Sequence, residues 1–333
     1  MGKRPRRKIV LFLVEGQSDR NALRNVISEL YDKIDENIEV FFPVINRDGV
    51  DVGGDLMVSV NFDEKDRTGD KPEKILEKNI AAIEKKLAKY FLNDFFDREK
   101  IYPKDIYEIV QITDLDGAFI PAEAVYGREK EPEVCETAGA GDSSGAGDSS
   151  GAGDSGGAGD SGGAGDSGGA GDPGGAGDSG GAGDSGGAGD SGRVREKPYY
   201  GNDRIICSDR DFMIRRNITK SYNLNIMSSL LTIKVGSKRI PYSLYYFSCN
   251  LDHFIHNDAN LDSRLKCSLA DTYARMYYGK PEAYMEEMLN DLDAARGMNY
   301  SESWEFARKG LNSLHRHTNI NVLFELLKSE KLV

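Results

Sequence analysis

The sequence predicts an α/β fold: a mostly parallel sheet flanked by helices, with a helical C-terminal part. Three observations predict it. Ile9 to Val14 is a continuous apolar run whose length and branching suit a strand buried on both faces. The run stops at Glu15-Gly16 and a helix pattern follows at once, with Leu23, Val26, Ile27, Leu30 and Tyr31 on one face. A second apolar stretch, Glu108 to Thr113, ends in the same manner, in Asp114-Leu115-Asp116-Gly117. In open α/β sheets the carboxyl ends of the strands are where ligands bind, and both stretches place carboxylates there.

The elements follow in order. The basic head (Lys3, Arg4, Arg6, Arg7, Lys8) suits either phosphate contacts or a solvated tail. It has no small-residue cleavage site and reads poorly as a signal peptide. Ser18 or Asp19 is placed to cap the first helix. Glu39 to Ile45 reads as the second strand, with Pro43 marking an edge or a bulge. Asn46 to Gly54 is polar and glycine-rich and reads as a loop. Asp63, Glu64, Asp66 and Asp70 follow in a stretch that suits solvated charges better than an addition to a metal site. Pro72 opens a helix with an apolar seam of Leu76, Ile80, Ile83, Leu87 and Tyr90. The strand ending at Asp114 leads into a loop over residues 118–123.

Residues 138–192 repeat a Gly-Ala-Gly-Asp-Ser-Gly unit with almost no side chain to bury, which predicts a disordered linker. Its single proline, Pro173, excludes a collagen reading. Structure resumes near Lys197: a brief strand or a helix lead-in at 204–207, a helix from Asp209 to Lys220, then strand, turn and strand over 230–247. Apolar stripes at helical spacing run from Leu269 to Leu327. The predicted organisation is an α/β core over 8–137, the repeat linker over 138–192, completion of the core over 193–260 and a helical subdomain over 261–333.

Composition narrows the functional classes. The net charge of -12 is inflated by the repeat. Without the repeat's nine Asp the balance is 43 basic against 46 acidic groups, a near-neutral body compatible with local nucleic-acid patches. No apolar run approaches eighteen residues, so no membrane association is expected. Four scattered cysteines without a Cys-x-x-Cys fit free thiols in the cytoplasm. The chain lacks a P-loop, a dinucleotide fingerprint and a serine-hydrolase elbow. Its four histidines are not at zinc-ligand spacing.

Asp114 and Asp116 are two apart, so in an extended chain they project from one face. Carboxylates that close repel one another unless a cation or a proton intervenes. Few, hard oxygen ligands suit Mg²⁺ or Mn²⁺.

Val-Glu-Gly-Gln-Ser-Asp-Arg-Asn-Ala-Leu (Val14 to Leu23), followed by Asp-Leu-Asp-Gly (Asp114 to Gly117), resembles the TOPRIM domain family, whose signature is a strand-end Glu-Gly and a later Asp-x-Asp. Asp19, four residues after Glu15, is similar to the small nuclease branch, which includes OLD-like enzymes and the TOPRIM partners of ATPases in anti-phage systems. The likeness covers about residues 8 to 125. It implies a TOPRIM-like sheet and a metal-dependent nuclease acting on DNA or RNA, tRNA included, under the control of an ATPase partner. Glu15, Asp114 and Asp116 are the implied catalytic and metal-binding residues, with Glu15 either a ligand or a general acid/base. Asp19 would orient Glu15 or join the site through water. Asn250 and Asp252, at the end of a late strand, match a turn that in related enzymes lies beside the metal; an Asx turn explains them equally well. Arg215 and Arg216 are candidate phosphate contacts, and a solvated basic face explains them at least as well. The competing reading is a non-catalytic docking subunit of an ATPase complex that keeps the acidic residues as an inherited feature.

Overall fold

Every second residue of the first strand faces the opposite side of the sheet, and here both sides are covered. β1 (Lys8–Leu13) sends Ile9, Leu11 and Leu13 into one apolar cluster, and Val10, Phe12 and the following Val14 into another. That two-sided burial is why the run is continuous rather than alternating. The computed structural model describes residues 7–47, 50–53, 72–90, 99–128, 196–291 and 293–330, which belong to one compact unit. The 138–192 repeat and Asp63, Glu64, Asp66 and Asp70 lie outside the described residues.

Helix α1 (Gln17–Ile34) begins directly after Gly16, so Gly16 stands at the cap position and Asp19 closes the first turn by accepting from the Gly16 amide at 2.8 Å. The cap is therefore Gly16 rather than the expected Ser18 or Asp19, both of which lie inside the first turn of α1. Its face of Ala22, Leu23, Val26, Ile27, Leu30 and Tyr31 is buried. β2 (Ile38–Phe41) pairs parallel with β1 and ends before Pro43. The loop expected at 46–54 is a correction: β3 (Val44–Arg47) and β4 (Val50–Gly53) form an antiparallel pair. Backbone pairing outweighs the low strand propensity of Asn, Asp and Gly there. Helix α2 (Pro72–Tyr90) starts at its proline and buries Ile83 completely.

β5 (Ile106–Asp114) lies on the other side of β1, and parallel to it. A 3₁₀ turn at Ala122–Ala124 then leads to β6 (Val125–Gly127). β6 joins β7 (Tyr199–Tyr200) and β8 (Ile205–Cys207) in a small three-stranded sheet of order β6-β8-β7. Helix α3 (Arg210–Met227) is capped by Asp209, whose side chain accepts from the Phe212 amide at 2.9 Å. β9 (Thr232–Val235) and β10 (Lys238–Phe247) are the expected antiparallel pair.

The central sheet has the order β2-β1-β5-β10-β9, parallel except at β9. The chain moves from β1 outward to β2, then returns to the opposite side of β1 as β5. The strand order thus reverses between β1 and β5, the kind of switch point at which open α/β sheets bind ligands.

Five helices follow: α4 (Leu251–His256), α5 (Ser263–Met276), α6 (Pro281–Asn290), α7 (Tyr300–Ala307) and α8 (Ile320–Glu330). They share the sheet's clusters, with Ala270, Tyr284 and Phe324 on the α1 side and Trp304 on the α2 and α3 side. Within the stretch expected to carry helical stripes, Leu311 and Leu314 lie beyond the end of α7 in turns. Polar bonds tie these helices to β10. Trp304 Nε1 and the Tyr300 hydroxyl both donate to the Leu244 carbonyl, and the Tyr246 amide donates to Asn319 Oδ1 at 2.8 Å. Among the described residues no helix is long and apolar enough to cross a membrane.

Candidate active site

The switch point collects charge because both strands that flank it run out into carboxylates. Glu15 follows β1, Asp114 ends β5, and Asp116 sits in the turn beyond. That turn is not extended: Asp116 adopts φ 49° and Gly117 φ 68°. The same-face argument for an extended chain does not apply, and the left-handed turn brings Asp116 to the cluster instead. Leu115 stays in the core, and its amide donates to the Phe247 carbonyl at 2.9 Å, while the Asp116 amide donates to the Cys249 carbonyl at 2.8 Å. Cys249 is also left-handed, with φ 59°. Its amide and that of Gly117 both donate to the Ser313 carbonyl. Two curled strand exits are thereby held by one buried residue, which nothing in the sequence marks.

A second element supplies the cations. Arg216 and Lys220 lie one turn apart on α3, and each donates to Asp116 Oδ2 at 2.6 Å. Asp116 is 8% exposed. Burial alone would raise its pKa, but Lys220 and Arg216 outweigh burial and hold it at about 2. The two cations gain correspondingly: burial opposes their charge, and Asp116 raises both pKa values in spite of it.

The other carboxylates shift upward. Burial raises Glu15, which Asp116 reinforces and Lys220 and Arg216 oppose. Glu15 Oε2 is buried with no hydrogen-bond partner among the described residues. Asp114 is raised well above the usual range by burial and then by Glu15, Asp19 and Asp116, although its Oδ1 accepts from the Leu251 amide at 3.1 Å. Asp19 is raised to about 6 by burial and by Glu15. Glu15, Asp19, Asp114 and Asp116 therefore form one electrostatic group.

The remaining sequence candidates separate. Asp252 pairs with Lys266 of α5, and both act on Asp19. The Asn250 side chain caps α4, accepting from the His253 amide at 2.9 Å and donating to the Ala259 carbonyl at 2.9 Å. That is the Asx-turn role. Arg215 is exposed and its neighbour Arg216 faces the cluster. Arg7 and Lys8 are paired with Glu39 and Asp35 at the start of β1, the end of the strand opposite Glu15. Lys220, Lys266 and Tyr200 are the participants that sequence reasoning did not assign. Burial raises the Tyr200 phenol, and the charges of Asp116, Arg216 and Glu15 reach it. The four-residue spacing of Arg216 and Lys220 on a predicted helix was the available signal for the first of these.

The carboxylate oxygens are of the hard type that a divalent cation takes. Fully ionised, the four carboxylates carry two charges more than Arg216 and Lys220 neutralise. Glu15 Oε2 and Asp114 offer hard oxygens, and Mg²⁺ is commonly bound through one or two carboxylates together with substrate phosphates. Asp116 fits less well, because its Oδ2 already serves two cations. Among the described residues no three His, Cys, Asp or Glu side chains are grouped to hold a metal ion. Comparison of the chain with family models, curated proteins and solved structures finds no match.

Proposed function

We propose that this chain is a Mg²⁺- or Mn²⁺-dependent nuclease of TOPRIM type, acting in the cytoplasm as the effector of an anti-phage system under the control of an ATPase partner. Its substrate class is DNA or RNA, tRNA included. The observation that carries the reading is the unpartnered, buried Glu15 Oε2 beside Asp114 at the sheet's switch point. A buried carboxylate oxygen without a donor is costly unless a cation or a proton completes it. The TOPRIM resemblance supplies the reaction class and the defence setting.

Glu15 and Asp114 would hold the cation through their carboxylate oxygens. Bound there, it would neutralise charge on the phosphoryl oxygens and make water a better nucleophile near neutral pH. Asp116 fixes Arg216 and Lys220 in place without leaving either charge unpaired. Those two side chains then stand ready to offset charge building on a phosphate, because their heads are already oriented and partly desolvated. Asp19 holds the first turn of α1 through the Gly16 amide and so fixes the Glu15-Gly16 exit. Glu15 is either a ligand or a general acid/base, and its raised pKa is compatible with both.

The test is incubation of the purified protein with plasmid, single-stranded DNA and tRNA, in Mg²⁺, Mn²⁺ or chelator. Metal-dependent cleavage that disappears in Glu15→Gln supports the reading; cleavage retained in that variant removes these residues from it. The docking-subunit reading is favoured by one observation: Asp116 is already satisfied by Arg216 and Lys220, as in a structural ion pair. On that reading, Glu15→Gln and Asp114→Asn leave partner binding and biological activity untouched.

A further inference from the structure

The exposed side of α1 carries a stripe at four-residue spacing: Arg20, Arg24, Ser28 and Asp32. Its order runs against the helix dipole, which favours cations near the C-terminal end. Arg20 and Arg24 also repel each other at that spacing. Helix stability therefore does not account for the pair. Across from them on α5 stands Arg275, and the three line a cleft of about 350 Å³ with Asn21, Asn25, Asp271 and Tyr278. Arg24 and Arg275 against the one carboxylate leave the cleft positive, and Asp271 accepts from Asn21 Nδ2 at 3.1 Å. Arg24 and Arg275 are exposed and have no ion-pair partner among the described residues. Tyr278, 69% exposed, presents its ring at the rim.

We infer that this cleft between α1 and α5 holds the phosphodiester backbone of a single-stranded segment that leads into the carboxylate site. The inference rests on the nuclease reading and names how its substrate is gripped. Arg20 follows Asp19 directly, so the cleft opens at the same helix turn that borders Glu15. Arginines and asparagine amides are the groups that contact phosphate oxygens, and an exposed tyrosine offers a stacking face to a base. A cleft of about 350 Å³ has room for one strand rather than a duplex. A second cleft of about 530 Å³ shares Arg20 and Arg24 but continues past Asp32 and Glu36. Those acids repel a polyanion, which confines the strand to the α5 side.

The experiment measures binding of fluorescent twelve-nucleotide oligo-U and oligo-dT in chelator, from about 50 to 200 mM salt. The proteins are the full chain, the double variant Arg24→Gln/Arg275→Gln, its Lys/Lys counterpart and Tyr278→Ala. Each phosphate contact on a single strand contributes about 0.7 to the slope of log affinity against log salt, so the Gln pair should flatten it by about 1.4. The Lys pair should keep the slope. Tyr278→Ala should weaken binding about tenfold with its slope unchanged, because stacking releases no counterions. The sugar preference appears as the difference between the two oligonucleotides. An unchanged slope in the Gln pair overturns the cleft while the cleavage test of Glu15→Gln stands by itself. Absence of binding by the unaltered chain overturns it as well. A duplex that binds as tightly, with the same loss of slope, overturns the single-strand assignment.

Discussion

Asp19→Asn isolates the electrostatic strain of the carboxylate group. Asn keeps the shape of Asp and an oxygen that can accept from the Gly16 amide, but removes one charge from beside Glu15. In the folded chain the Asp19 pKa rises from 3.8 to about 6, through burial first and Glu15 second. A raised carboxylate pKa means that the folded state holds the proton more tightly than the unfolded state does. Stability then falls as pH rises from 3.8 through 6, and the full penalty is present above 6. That shift corresponds to about 3 kcal/mol at most. Weakening the charge-assisted bond to Gly16 subtracts about 1 kcal/mol, so Asp19→Asn should gain about 2 kcal/mol at pH 7.5. For a chain of this size that is about 4–8 °C in melting temperature. The assay is a thermal melt in chelator at pH 4.5, 5.5, 6.5 and 7.5. The advantage of the variant should be small at pH 4.5 and level off above pH 6.5. A variant that melts below the parent at pH 7.5, or an advantage independent of pH, refutes the electrostatic account. Cleavage should fall about 10- to 100-fold, as when a group that supports a metal ligand is lost.

Glu15→Gln and Asp114→Asn should each lower cleavage by at least about a hundredfold, with the fold retained, as read by a plasmid and tRNA assay beside a melt. Gly117→Ala should destabilise by about 2–4 kcal/mol, because φ is 68° and an added Cβ would lie 2.8 Å from Ile205 and Leu314 side-chain atoms. A melt of Gly117→Ala within about 2 °C of the parent would show that this turn relaxes freely. Replacing residues 138–192 by a short Gly/Ser linker should leave melting and cleavage nearly unchanged, since loop-closure entropy varies slowly with length; a fall of about 10 °C would show that the segment packs.

The sequence by itself determined the local elements and the carboxylates at their ends. An unbroken apolar run can be satisfied only between two covering layers, so Ile9 to Val14 announced a central strand. The five apolar positions from Leu23 to Tyr31 announced a helix packed on one side. Strand-end Glu15 and Asp114 follow from those elements, because a charged residue after a buried run must stand at the strand's edge. Other features depended on contacts between distant segments. The antiparallel pair at 44–53 exists through backbone bonds that low local strand propensity does not reveal. Whether Asn250 faces the carboxylates or caps a helix depends on where the His253 amide lies, and the structure gives it to the cap. The approach of Arg216 and Lys220 to Asp116 joins residues about a hundred positions apart, across α3 and the curled exit of β5. No local pattern encodes that distance. Only the packing of α3 against the sheet decides that Asp116 carries its own cations, while Glu15 Oε2, a few ångströms of chain beyond β1, is left without a donor.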